Sequence, residues 1–201
     1  KIQSLTNEIK FDMEFKEAAS QASNWIKFAC DQLYNMRDTV IDKTSLEKRL
    51  ERIKSLEEDE EKNKVNYVLH LCDNLNKIQE KAQFESDLNS LNNRVSKLKV
   101  EAQQCLDLLT KYEKMHSQLS DWCDDFEKRI TYSTNCKQLL EEGNQIKPKF
   151  DELNTLMDQI QSLIKVNQQS KEDLIKLNSV YASLTSLVKQ NLDKRQNYEK
   201  D

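Results

Sequence analysis

Apolar residues recur at steps of three and four along almost the whole chain, the spacing that lines one face of an α-helix. A first helix carries Phe11, Phe15, Ala18, Ala22, Trp25, Ala29 and Met36, with Leu33 alongside, and ends near Arg37. A second carries Leu46, Leu50 and Ile53, then Val65, Val68, Cys72, Leu75 and Ile78. Thr44 and Glu47 form a T-x-x-E capping box at its start. Residues 57–64 (EEDEEKNK) interrupt this stripe with no apolar side chain, which predicts a solvated or kinked stretch of the helix. A third helix, starting near residues 81–86, carries Phe84, Leu88, Leu91, Val95, Leu98, Ala102, Cys105, Leu109 and Tyr112.

The third helix shows no stop signal. Its pattern continues through Met115, Leu119, Trp122, Phe126 and Ile130, but the apolar stripe moves to a new face between residues 103 and 112. A helix that changes face without ending serves two cores in succession. A further helix follows residues 132–138, with Ser133 or Thr134 as its cap, and carries Leu139, Ile146, Phe150, Leu153, Met157, Ile160 and Ile164. Pro148 predicts a kink there, or a regular helix beginning near it, because proline removes a backbone donor. Ser170 with Asp173 caps a last helix carrying Leu174, Leu177, Tyr181, Leu184 and Val188.

Composition supports an all-α chain. Among 201 residues there is one glycine, Gly143, and one proline, Pro148, so the vocabulary of tight turns and strand breaks is nearly absent. Charged residues make up 33% and the net charge is −4, shared between both halves. That balance, without a basic patch, argues against nucleic-acid binding. No apolar run reaches the roughly 20 residues of a membrane span. The chain opens at Lys1 rather than Met and is read as an excised fragment. Its five cysteines, Cys30, Cys72, Cys105, Cys123 and Cys136, are odd in number and include no C-x-x-C, which suits reduced cytosolic thiols used as small apolar residues.

Candidate chemistry is sparse. The sequence has no glycine-rich phosphate loop, no G-x-S-x-G and no H-E-x-x-H. His70 and Cys72 stand two apart, on different faces of a helix, and cannot share a metal. Cys123 has no histidine near it in sequence to serve as a base. No enzymatic activity, metal or cofactor is expected.

One relationship organises the rest. Trp25 and Trp122 are the only tryptophans. At their offset of 97, Phe15 falls on Tyr112, Ala18 on Met115, Ala22 on Leu119 and Ala29 on Phe126. At an offset of 86, LNNRVSKL (91–98) falls on LNSVYASL (177–184), so Val95 matches Tyr181. One two-part unit is written twice, the second copy shorter.

Three long helices per unit, a shared connecting helix and a tryptophan in each first helix resemble the spectrin-repeat superfamily. The resemblance implies two tandem three-helix repeats, 1–105 and 106–201, with Trp25, Val95, Trp122 and Tyr181 as core markers. In that family an aromatic of the third helix, often in an L-x-x-R-W-x-x-L setting, faces the first-helix tryptophan. Here Val95 replaces that aromatic, and Tyr181 keeps it without the preceding arginine. Within the superfamily, EFKEAASQASNWI (14–26) and KVNYVLHLCDNLNKIQEKA (64–82) resemble the rod of α-actinin, in its short two-repeat protist form.

That resemblance implies a rod in which each bundle runs on the order of 50 Å. It would pair antiparallel with an identical copy, in the cytoplasmic cytoskeleton. It would hold actin-binding heads, and calcium-binding EF-hand modules, that lie outside this sequence. Antiparallel pairing suggests contact between Glu57, Glu58, Asp59, Glu60 and Glu61 of one copy and Lys147, Lys149, Lys189, Lys194 or Arg195 of the other. A monomeric spacer or adaptor of a nesprin-, dystrophin- or plakin-like protein is the alternative. A membrane-curving helical dimer would need a lysine-rich face, which a chain of net −4 does not clearly offer.

Overall fold

The computed structural model describes residues 2–36, 42–133, 135–164 and 168–198. Among them the chain is all-α: α1 (Ile2–Asn35), α2 (Lys43–Glu57), a 3-10 turn (Glu60–Lys62), α3 (Asn63–Asn74), α4 (Ile78–Tyr132), α5 (Cys136–Leu163) and α6 (Gln168–Tyr198). The fold divides into two compact units. One comprises Lys1–Thr39 with Ser45–Gln103, the other Val40–Thr44 with Gln104–Asp201.

In the first unit α1 packs most closely on α3. Ala18, Ala22 and Ala29, all buried on one face of α1, are small enough to allow a close helix approach. Phe15, Trp25, Leu33 and Met36 complete that face, and Phe84, Leu91, Val95 and Leu98 of α4 close the same core. α2 adds Ile53 and Leu56 to it.

The predicted second helix is in fact two. Its apolar-free stretch does more than face solvent: the chain leaves α2 after Glu57, makes the 3-10 turn and restarts as α3. The turn from α3 to α4 also comes earlier than the pattern suggested, with α4 starting at Ile78 rather than near 81–86. Asn76 stops α3 with a left-handed backbone, φ 54°. The Lys77 N–H donates to the Cys72 carbonyl at 2.8 Å and the Asn76 N–H to Asp73 at 3.3 Å, a Schellman cap with asparagine in glycine's usual place. Lys77 then reaches back to α1, 3.2 Å from Asp12 and 4.5 Å above the Phe15 ring. Ile78, expected in the core, is the first residue of α4 and 72% exposed.

α4 is a single helix of 55 residues, uninterrupted through 103–112. Beyond Gln103 it supplies the second unit with Leu109, Tyr112, Leu119, Cys123, Phe126 and Ile130. α5 and α6 pack closely on one another. Leu153, Met157 and Ile160 of α5 and Leu177, Leu184 and Val188 of α6 are buried.

Several expected caps move. α2 begins at Lys43, so Thr44 lies inside its first turn, and α6 begins at Gln168, ahead of Ser170. Asn135 caps α5, its side chain accepting from the Gln138 N–H at 3.1 Å. Ser133 supports that cap by accepting from the Asn135 N–H, while Thr134 lies outside the described residues. α5 runs on from Cys136 through Pro148, so its regular part does not wait for the proline.

Candidate functional site

Trp25 anchors the polar break between α2 and α3. Its ring is buried on α1, and its indole N–H donates to Asp59 Oδ2 at 3.0 Å. The other oxygen of Asp59 accepts the backbone N–H of Glu61 at 2.9 Å, so one carboxylate caps the 3-10 turn and satisfies the tryptophan. Val95 and Leu91 of α4 line one crevice with Trp25, Ala29 and Leu56, so Val95 stands beside the tryptophan with a smaller side chain than an aromatic would present.

The remaining acids of this stretch also have neighbours within the chain. Glu57 lies 2.6 Å from Lys99, Glu58 3.7 Å from Lys54, and Glu61 pairs with Lys64. These pairs are largely exposed and worth about 0–1 kcal/mol each. Glu60 is exposed, as are Lys147 and Lys149 on α5 and Lys189, Lys194 and Arg195 on α6.

The second unit has an aromatic cluster where the first has tryptophan and alanines. Trp122 stacks on Phe126 with centroids 4.4 Å apart, and Phe150 stacks on Tyr181 at 4.2 Å. Trp122 meets Phe150 edge-on at 6.5 Å and Tyr181 at 6.4 Å. Trp122 is only half-buried, while its neighbour Cys123 is fully in the core. Tyr181 donates its hydroxyl to the Gly143 carbonyl at 2.9 Å, and Gly143, buried, faces Thr185 and Phe126. Nothing in the spacing of apolar residues marked Gly143 as a packing position.

The groups that could do chemistry are dispersed. His70 is exposed on α3. His116 is half-buried, its ring 5.7 Å from Tyr112, with Nε2 lacking a hydrogen-bond partner among the described residues. Burial pushes the Cys123 thiol up to about 11 and the Tyr112 phenol up to about 12; burial also raises Cys72, helped by Glu80. A buried thiol that holds its proton is a poor nucleophile. No disulfide joins the five cysteines. Among the described residues no three His, Cys, Asp or Glu side chains gather as a metal site, and no helix is long and apolar enough to cross a membrane.

No protein-family model, no curated protein and no solved structure matches the chain.

Proposed function

We propose that the chain is a structural spacer built from two spectrin-type three-helix repeats, belonging to an actin-cross-linking protein of α-actinin type. In this reading it pairs antiparallel with a second copy. It thereby sets the distance between actin-binding heads outside this sequence. The observation that carries the reading is α4: one unbroken helix whose first part completes one core and whose later part opens the next. Both cores are apolar throughout their described residues, the economy of a part that bears load or separates other parts.

The partners of the acidic stretch favour a second reading at the level of assembly. Asp59, Glu57, Glu58 and Glu61 are engaged within the chain, which leaves less of that stretch for a second copy. The chain would then be a monomeric spacer of nesprin, dystrophin or plakin type. Sedimentation equilibrium decides between them. Twice the 23.7 kDa chain mass supports the antiparallel dimer, and a single-chain mass at high micromolar concentration supports the monomeric spacer. Reversing only Glu58 and Glu60 to lysine then tests the acidic contact without touching the Trp25–Asp59 bond. A dimer constant unchanged at low salt would assign the interface elsewhere.

A further inference from the structure

We propose that Ser55 is a phosphorylation site for an acid-directed serine/threonine kinase, with a nucleoside triphosphate as phosphoryl donor. The inference is independent of the spacer reading. Ser55 is followed by Leu56, Glu57, Glu58, Asp59, Glu60 and Glu61, and the first basic residue after it is Lys62. A kinase whose cleft is lined by basic groups reads carboxylates downstream of the acceptor through charge-assisted hydrogen bonds.

Three structural facts make the hydroxyl available. Ser55 is exposed, and its only described hydrogen bond is to the Glu51 carbonyl of its own helix, 3.0 Å away. It sits in the last turn of α2, two residues before the helix ends, where the helix's own backbone bonds run out. The carboxylate three positions downstream is held weakly: Glu58 is 3.7 Å from Lys54, with both side chains about two-thirds exposed. Ser170, followed by Glu172 and Asp173, is the nearest rival in sequence. It has Lys171 beside it, is half-buried, and its carbonyl accepts the Tyr112 hydroxyl at 3.4 Å.

In the transfer, Ser55 Oγ forms a bond to the terminal phosphorus of the triphosphate and the bond to the bridging oxygen breaks. The nucleoside diphosphate leaves, and the serine proton passes to the kinase's general base. The product carries about two negative charges at the C-terminal end of α2, where the helix dipole is already negative and Glu51 and Glu58 stand one turn away on either side. The phosphate therefore loosens the last turn of α2, next to the Trp25–Asp59 bond.

The test uses the whole chain, a purified acid-directed serine/threonine kinase and ATP, with site mapping by mass spectrometry. A synthetic peptide of residues 50–62 serves as the unfolded reference. We expect one phosphoryl group on Ser55, none there in Ser55→Ala, and a rate lower by roughly tenfold in Glu58→Gln, the loss of one charge-assisted contact. A peptide that is phosphorylated while the folded chain is not would overturn the proposal by showing the hydroxyl inaccessible. An unmodified peptide, or a phosphate placed on Ser170 in preference to Ser55, would overturn it by showing the acidic run unread.

Discussion

Asp59 serves two donors at once, the indole N–H of Trp25 at 3.0 Å and the backbone N–H of Glu61 at 2.9 Å. The break between α2 and α3 is therefore tied to the centre of the first core, and its position is set by a single carboxylate. Removing that carboxylate in Asp59→Ala leaves the tryptophan donor without its partner and the 3-10 turn without its cap. The expected cost is about 1–3 kcal/mol, read as a shift in the urea midpoint. Asp59→Asn offers one acceptor oxygen for two donors and should fall between. A loss below about 0.5 kcal/mol for the alanine variant would show that water replaces both bonds.

Gly143 is confined by its neighbours. A Cβ built there would lie 3.2 Å from Thr185 Cγ2 and 3.6 Å from Phe126 Cζ. Thr185 has little room to yield, since its hydroxyl donates back to the Tyr181 carbonyl at 2.9 Å. Alanine gains roughly 1 kcal/mol of helix propensity over glycine and loses a comparable amount to crowding. Gly143→Ala should thus be nearly neutral. Adding Thr185→Ser removes the crowding methyl and should make the double variant more stable than Gly143→Ala alone. Gly143→Leu, which needs far more space, should destabilise the second unit by 1–3 kcal/mol or more, roughly the cost of overpacking. Thermal unfolding followed by Trp122 fluorescence in a Trp25→Phe background isolates that unit.

The helical content was legible because strictly spaced apolar residues in a chain with one glycine and one proline leave no other regular structure. The ends of helices were not, and particular residues show why. Asn76 stops α3 from a left-handed conformation that glycine would have advertised. Asn135 caps α5, where a serine or threonine was the more familiar signal. Pro148 does not delay the start of α5, which runs through it on a largely exposed face. The acidic stretch read as a solvated face, and its bond to Trp25 spans 34 residues, a separation that no local pattern encodes. Trp122 and Cys123 show a limit of another kind: a stripe of spacing three and four fixes a face only to within a neighbour, and here Cys123 takes the buried place.

Asn154 and Asn178 face each other between α5 and α6. The amide of Asn178 donates to Asn154 Oδ1 at 2.8 Å, and that of Asn154 to Asn178 Oδ1 at 3.4 Å and to the Phe150 carbonyl at 2.9 Å. Two half-buried amides that satisfy each other fix the helix register more than they add stability. Asn178→Leu alone leaves Asn154 facing an apolar group and should cost about 1–2 kcal/mol. The double leucine variant should recover most of that loss, because neither amide remains to be desolvated. A double variant no better than the single would show that the pair contributes through shape alone.

Alkaline pH should weaken the second unit. Burial holds the Cys123 thiol, ordinarily near 9.0, up to about 11, and the Tyr112 phenol, ordinarily near 10.0, up to about 12. In both cases the folded state keeps a proton that the unfolded chain releases sooner. Their contribution to stability is complete below the unfolded value and falls as pH rises through the folded one. The decline therefore starts near 9, where unfolded Cys123 ionises, steepens near 10.0, where unfolded Tyr112 joins it, and ends near 12. Urea unfolding at a series of pH values, read through Trp122 in the Trp25→Phe background, measures the slope directly. Cys123→Ala should remove the slope between 9 and 10, roughly halve it between 10 and 11, where Tyr112 also contributes, and leave the part above 11 in place, and an unchanged slope would mean that the thiol ionises in the folded chain as easily as in the unfolded one.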